Sequence, residues 1–353
     1  MRTWIPILAV MACSFAKAQS KELIVPKTYV ASKAEQTLTI DGKALEKDWE
    51  KAAWSDEFID IEGKKIPKYS TRVKMLWDDT YFYILADMKE PHVWANLKQR
   101  DTVVFYNNDF EVFVDPDGDT HNYYELELNA LNTAWDLFLT QPYRGSNAVV
   151  NDYEMIGLKS AIHVDGTLND FSDQDEGWTV EIAIPWSTFK LGYNQDVVPV
   201  DQFWRVDFSR VNWEFDIVNQ AYVRKKDANG KYLPEYNWVW SPTGVINMHE
   251  PEKWAYVFFS SKDPGDDSEF EIPKDEKIKW ELYALYRSHL KYMETNNAPA
   301  GNVSSLTNKS IEVEGQPLEV LLKSHDLGWN LSVKSPFSGK TLIVKEDGKF
   351  LSQ

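Results

Sequence analysis

With 353 residues, 43% of them hydrophobic, the chain can form two compact units or one large unit with an appendage, and is too apolar for general disorder. Its 55 acidic and 38 basic residues give a net charge of −17, which disfavours nucleic-acid phosphates and anionic lipid headgroups as partners and leaves uncharged ligands unpenalised. Aromatic residues reach 14% (15 Trp, 17 Tyr and 17 Phe), a content that favours strands and supplies flat apolar faces.

The chain opens on an export signal: Arg2, a short apolar run over residues 4–12, and the small-x-small sequence Ala16-Lys17-Ala18. The run is too short to span a bilayer, and no later stretch is long and apolar enough to do so. Cleavage after Ala18 would remove Cys13, the only cysteine, leaving no disulfide, thiolate metal site or cysteine nucleophile. Val10-Met11-Ala12-Cys13 offers a competing lipoprotein reading. The expected location is outside the cytoplasm, in the periplasm, the medium or at the cell surface.

Residues 38–40 read as a strand, Asp41-Gly42 as a turn, and the segment around Trp49 as a short amphipathic helix. Strands over 72–77 and 81–88 flank Asp78-Asp79 as a hairpin. Further short alternating runs follow at 109–115, 123–130, 133–139, 178–184, 204–211 and 254–260. Many short strands with few helices predict a mainly β fold, an antiparallel β-sandwich over residues 19–262. Residues 263–276, rich in Asp, Pro, Gly and Glu, read as an acidic linker. Residues 277–353 read as a helix ending near Thr295 followed by three or four antiparallel strands.

Alternation sorts the side chains of the densest segment. Glu111, Phe113 and Asp115 share one face of their strand, as do Glu125, Glu127 and Asn129, and Arg205, Asp207 and Ser209. If these strands are neighbours, one sheet face carries carboxylates, an amide and a guanidinium beside aromatic rings. That mixture suits sugars, whose C–H faces stack on rings and whose hydroxyls need polar partners. A solvated network of Arg–carboxylate pairs is the alternative.

These residues resemble a known family. Thr39-Ile40-Asp41-Gly42 with Trp49, Leu76-Trp77-Asp78-Asp79, the run from Asp109 to Asp119, Tyr123-Tyr124-Glu125, Asn129-Ala130-Leu131-Asn132-Thr133, the run from Gly177 to Trp186 and the run from Arg205 to Val211 look, in that order, like carbohydrate-binding module family 9, over about residues 29–261. The form with an added C-terminal piece resembles exported proteins of Bacteroidetes-type bacteria. The resemblance implies a non-catalytic β-sandwich that grips a plant-type or related oligosaccharide or polysaccharide between two tryptophans. Here the first corresponds to Phe105 or Tyr106 and the second falls near Met248, with Trp240 and Trp254 close enough to substitute. Glu111 and Asn129 match polar contact positions, Glu127 stands in place of a contact arginine, and the strand reading adds Arg205.

Asp115, Asp117 and Asp119 form an oxygen-rich turn that suits calcium, and the resemblance also implies structural calcium; a plain turn sequence is the alternative. Two other functional classes compete. A glycoside hydrolase would use a carboxylate pair such as Glu125 with Glu181 or Glu111 with Asp207. A haem-binding relative would need axial ligands such as Met248 or His249, and haem is not expected because these two are adjacent on the chain. A glycan is the expected ligand, and protein partners are not readable from the sequence.

Overall fold

The computed structural model describes residues 24–145, 149–191 and 197–353, so the expected leader at 1–18 and Cys13 lie outside the described residues. In chain order the first unit comprises β1 (Thr28–Lys33), α1 (Lys47–Lys51), β2 (Ile59–Asp60), β3 (Thr71–Trp77), β4 (Tyr81–Lys89), β5 (Asp109–Asp115), β6 (Tyr123–Asn129), β7 (Ala134–Leu139), β8 (Val149–Val150), β9 (Lys159–Asp165), β10 (Gly177–Pro185), β11 (Gln202–Asn212), β12 (Phe215–Val218), β13 (Ala221–Arg224), β14 (Tyr236–Val239) and β15 (Ala255–Ser260). The second comprises α2 (Lys274–Asn296), β16 (Glu312–Val313), β17 (Gln316–Pro317), β18 (Leu321–His325), β19 (Gly328–Lys334), β20 (Thr341–Lys345) and β21 (Phe350–Ser352).

One sheet runs β8-β7-β6-β5-β11-β15-β1-β3-β4-β10-β9, with β14 branching from β11 and β2 from β14. Its pairs are antiparallel except at β1, which runs parallel to both β15 and β3. The sheet curls over on itself. Val112, Val114, Leu126 and Phe208 from one half share a single buried cluster with Met75, Ile84, Val180 and Ile182 from the other, which makes a mainly β sandwich. The opposite residues of β5 and β6 face outward, so the expected alternation holds on both strands.

Local chemistry fixes the turns. Asp78 accepts the N–H groups of Thr80 and Tyr81, each at 2.7 Å, closing the β3–β4 hairpin. At Asp41-Gly42, Glu181 accepts both backbone N–H groups at 3.0 and 2.9 Å and also the Trp49 indole N–H at 2.9 Å. Gly42 has φ +82°, and a Cβ there would lie 2.8 Å from the Ile162 carbonyl carbon, so only glycine fits. Glu181, one half of a candidate hydrolase pair, is thereby committed to holding a turn.

Helix α2 begins at Lys274, directly after Pro273 and inside the stretch that read as linker, with Asp275 and Glu276 in its first turn. It packs Ile278, Leu282 and Tyr286 against Trp329, Leu331 and Val344 of the antiparallel sheet β18-β19-β20-β21. This unit is anchored to the sandwich through polar contacts. Phe350 N–H donates to Asp119 O at 3.0 Å, and Thr120 Oγ1 donates to Gly348 O at 3.0 Å. Glu252, 3% exposed, pairs with Arg144 and Arg287; burial alone would raise its pKa, but the two guanidiniums hold it down to about 2.

Candidate functional site

The outward face of β5, β6 and β7, together with the 235–249 segment, encloses an open cavity of about 400 Å³. Register places its floor. Glu111 lies opposite Glu127, Phe113 opposite Glu125, and Glu127 in turn opposite Trp135. Because alternate residues of a strand share a face, the three glutamates and Trp135 converge on one side. Phe105, on the short turn before β5, contributes a ring 6.4 Å from that of Trp135 at an interplanar angle of 25°. Tyr143, Ile246, Met248 and His249 form the facing wall.

The acids of this floor are buried: Glu111 is 6% exposed, Glu125 4% and Glu127 2%. Glu127 accepts the Phe105 N–H at 3.0 Å, which ties the ring to the acid below it. One oxygen of Glu125 has no hydrogen-bond partner among the described residues. Burial raises the pKa of Glu111 to about 7, with Glu235 adding to the effect. Burial and then the neighbouring acids push Glu125 and Glu127 well above the carboxylate range. His249 adds no charge, because burial lowers its pKa to about 3; its Nδ1 lies 2.9 Å from Tyr123 Oη. Among the described residues no lysine or arginine lines the cavity. The site can therefore stack a ring and exchange several hydrogen bonds, and its acids, held towards the neutral form by burial, would ionise against a cation.

Residues 40–202 match the family model described as carbohydrate family 9 binding domain-like. This part of the chain is a family 9-like domain. It is similar, at 31% identity over 118 residues, to the exoglucanase XynX of Acetivibrio thermocellus, covering 33% of this chain and 9% of that protein. It is also 31% identical, over 115 residues, to endo-1,4-beta-xylanase A of Thermoanaerobacterium saccharolyticum, covering 33% of this chain and 8% of that protein. The chain thus spans less than a tenth of these relatives' lengths. Among solved structures, a family 9 carbohydrate-binding module from Caldicellulosiruptor kristjanssonii in complex with cellotriose aligns with a TM-score of 0.44 and 14% identity, covering 70% of this chain and 100% of that one.

Of the residues expected at the site, Phe105, Glu111, Glu127 and Met248 come together in the cavity. Four other residues expected at the site stand elsewhere. Tyr106 points out beside Phe105, 45% exposed, under the Arg224 guanidinium. Asn129 is fully buried and organises loops, its Nδ2 donating to Leu97 O at 2.9 Å while Oδ1 accepts from Leu131 and Thr133. Trp240, 1% exposed, packs in the sandwich core near Tyr29 and Phe208. Arg205, also 1% exposed, bonds to Glu252 O, Trp254 O and the Tyr256 hydroxyl and pairs with Glu276 at 3.3 Å. It anchors the C-terminal unit. Trp254 likewise is buried, its indole donating to Met248 O at 2.8 Å, so it supports the wall from behind. Trp135, Tyr143 and Glu125 are among the lining residues that the expected site omitted. Pairing β7 onto β6 would have revealed Trp135.

The acidic turn gathers three carboxylates of the kind that suit calcium. Asp115, Asp117 and Asp119 each bring one oxygen within 4.8 Å of the others. However, Asp115 already accepts from Gly118 N and Thr120 N at 3.0 and 2.8 Å. Asp119 accepts from His121 N at 2.7 Å and pairs with Lys349 at 2.8 Å, and the Lys279 ammonium donates to Gly118 O. Calcium takes six to eight oxygens, and here two ammonium groups from the C-terminal unit supply the positive charge. The residues present do not make a calcium shell by themselves.

Proposed function

We propose that the protein is an exported, non-catalytic carbohydrate-binding protein and that the cavity over β5–β7 is its saccharide site. The observation that carries this is the pairing of the Phe105 and Trp135 rings with the buried acceptors Glu111, Glu125 and Glu127 in one 400 Å³ cavity of a family 9-like domain. The rings match the C–H face of a sugar and the carboxylates its hydroxyls. Similarity to the xylan- and glucan-named relatives is confined to segments of less than a tenth of their length, which favours a shared binding part over a shared reaction. Export is supported by the leader pattern at residues 1–18, and no helix among the described residues is long and apolar enough to cross a membrane.

Calorimetry of the mature chain against neutral oligosaccharides tests this reading. A few hydroxyl contacts on stacked rings give an expected Kd of roughly millimolar to micromolar. Phe105→Ala with Trp135→Ala should abolish binding, whereas Tyr106→Ala should retain it. Release of reducing sugar from the same panel would overturn the non-catalytic reading, and full affinity in the double variant would move the site elsewhere.

A further inference from the structure

The cavity gathers more carboxyl groups than a neutral sugar requires. Asp109 lies behind the floor, fully buried, and one oxygen of each of Asp109, Glu111 and Glu127 lies within 4.8 Å of the others. Glu235 adds a fourth carboxylate to the lining beside Glu111, Glu125 and Glu127. Against these stand no lysine and no arginine. The nearby guanidiniums are committed: Arg224 lies over the Tyr106, Trp213 and Tyr232 rings, and Arg144 is held by Glu252. One oxygen each of Glu125 (4% exposed) and Asp109 (0% exposed) is left without a hydrogen-bond partner among the described residues.

Buried carboxylates normally have a hydrogen-bonding or cationic partner, because desolvating a bare charge is costly. Elsewhere Glu252 has Arg144 and Arg287, and Glu90 has Arg210 at 2.7 Å. Asp207, fully buried, also keeps one unpartnered oxygen but does not line the cavity, whereas the cavity acids are open to ligand. A hydroxyl would satisfy an orphan oxygen but give the acids no cation to ionise against. A protonated amine would supply both, with three N–H donors for a ring of acceptors. The rings and the volume require more than a bare ion, since a metal at the floor would leave Phe105, Trp135 and most of the cavity untouched.

Resting on the saccharide reading of this cavity, we propose that the preferred ligand is a cationic sugar, one carrying a free amino group that sits among Glu111, Glu125 and Glu127. The ammonium supplies the positive charge the site lacks, while Phe105 and Trp135 receive the pyranose face.

Calorimetry with the mature chain can compare three probes of equal length: a chitosan oligosaccharide with free amines, its fully N-acetylated counterpart, and a cello-oligosaccharide. Each is run with chelator and again with added calcium. A charge-assisted hydrogen bond predicts roughly tenfold to hundredfold tighter binding of the amine form than of either neutral form. The preference should shrink at high salt. Glu127→Gln and Glu111→Gln should narrow the ratio between amine and N-acetyl forms; in Glu127→Gln the amide oxygen can still accept the Phe105 N–H, and thermal melts establish folding. Equal or tighter binding of the neutral sugars overturns the amine preference while leaving the saccharide site standing. Neutral-sugar binding that appears only with calcium also overturns it, assigning the acids to a metal. Failure of every saccharide to bind removes both readings.

Discussion

Glu111→Gln tests the uncompensated charge without any ligand. Folded Glu111 keeps its proton up to about pH 7, against an ordinary value of 4.5 in the unfolded chain. Between these limits the folded state holds more protons, so stability falls as pH rises through the window and the penalty is complete above it. A displacement from 4.5 to about 7 corresponds to roughly 3 kcal/mol. Asp109, Glu125, Glu127 and Glu235 face the same space and His249 is neutral there, so no basic group offsets the effect. Glutamine keeps the shape and cannot ionise. Urea unfolding of both proteins at about pH 4 and about pH 8 should give equal stabilities at the lower value and a variant up to roughly 3 kcal/mol more stable at the higher. A variant equal to or weaker than the parent at the higher pH would refute the idea that this acid is buried without compensation.

Three further outcomes follow from the packing. Arg205→Met should destabilise by about 3–5 kcal/mol, because Glu276 and several carbonyls lose a buried cation, and limited proteolysis should then cut faster within 263–276. Gly42→Ala should cost more than about 1 kcal/mol in a urea melt, since the new Cβ meets the Ile162 backbone. Chelation should leave the Tm of the whole chain unchanged, because Lys279 and Lys349 provide the positive charge at the Asp115–Asp119 turn; a clear drop would show that an ion does so instead.

The sandwich was legible because its strands are short, alternating and separated by turns whose chemistry is local, as at Asp78 and Asp41-Gly42. Alternation also assigned Glu111, Glu125 and Glu127 to the outer faces of their strands. What it could not supply was pairing. Trp135 enters the cavity because β7 sets it opposite Glu127, a long-range fact that no local pattern encodes. Trp240 fails as a platform for the same reason in reverse: its proximity in sequence to Met248 says nothing about the layer into which its indole turns, and it turns into the core. The charges around the acidic turn were not legible in its own segment, because Lys279 and Lys349 come from a unit some 160 to 230 residues further along the chain.

Register also explains how one sheet face can serve two purposes. Arg205 pairs across from Asp115, while Ser209, four residues along β11, pairs across from Glu111. At about 3.3 Å per residue the two positions are separated by roughly 13 Å. At the first end two lysines meet the acidic turn and Arg205 pairs with Glu276, and the C-terminal unit closes over them. At the other end the acids stand without a cation and the surface stays open. Had Arg205 occupied the position of Ser209, it would neutralise Glu111 and remove the demand for a positive ligand. Ser209→Arg is therefore expected to abolish any advantage of an amino sugar over its N-acetyl form, read as the ratio of their Kd values. An undiminished ratio in that folded variant would mean that charge at the floor does not choose the ligand.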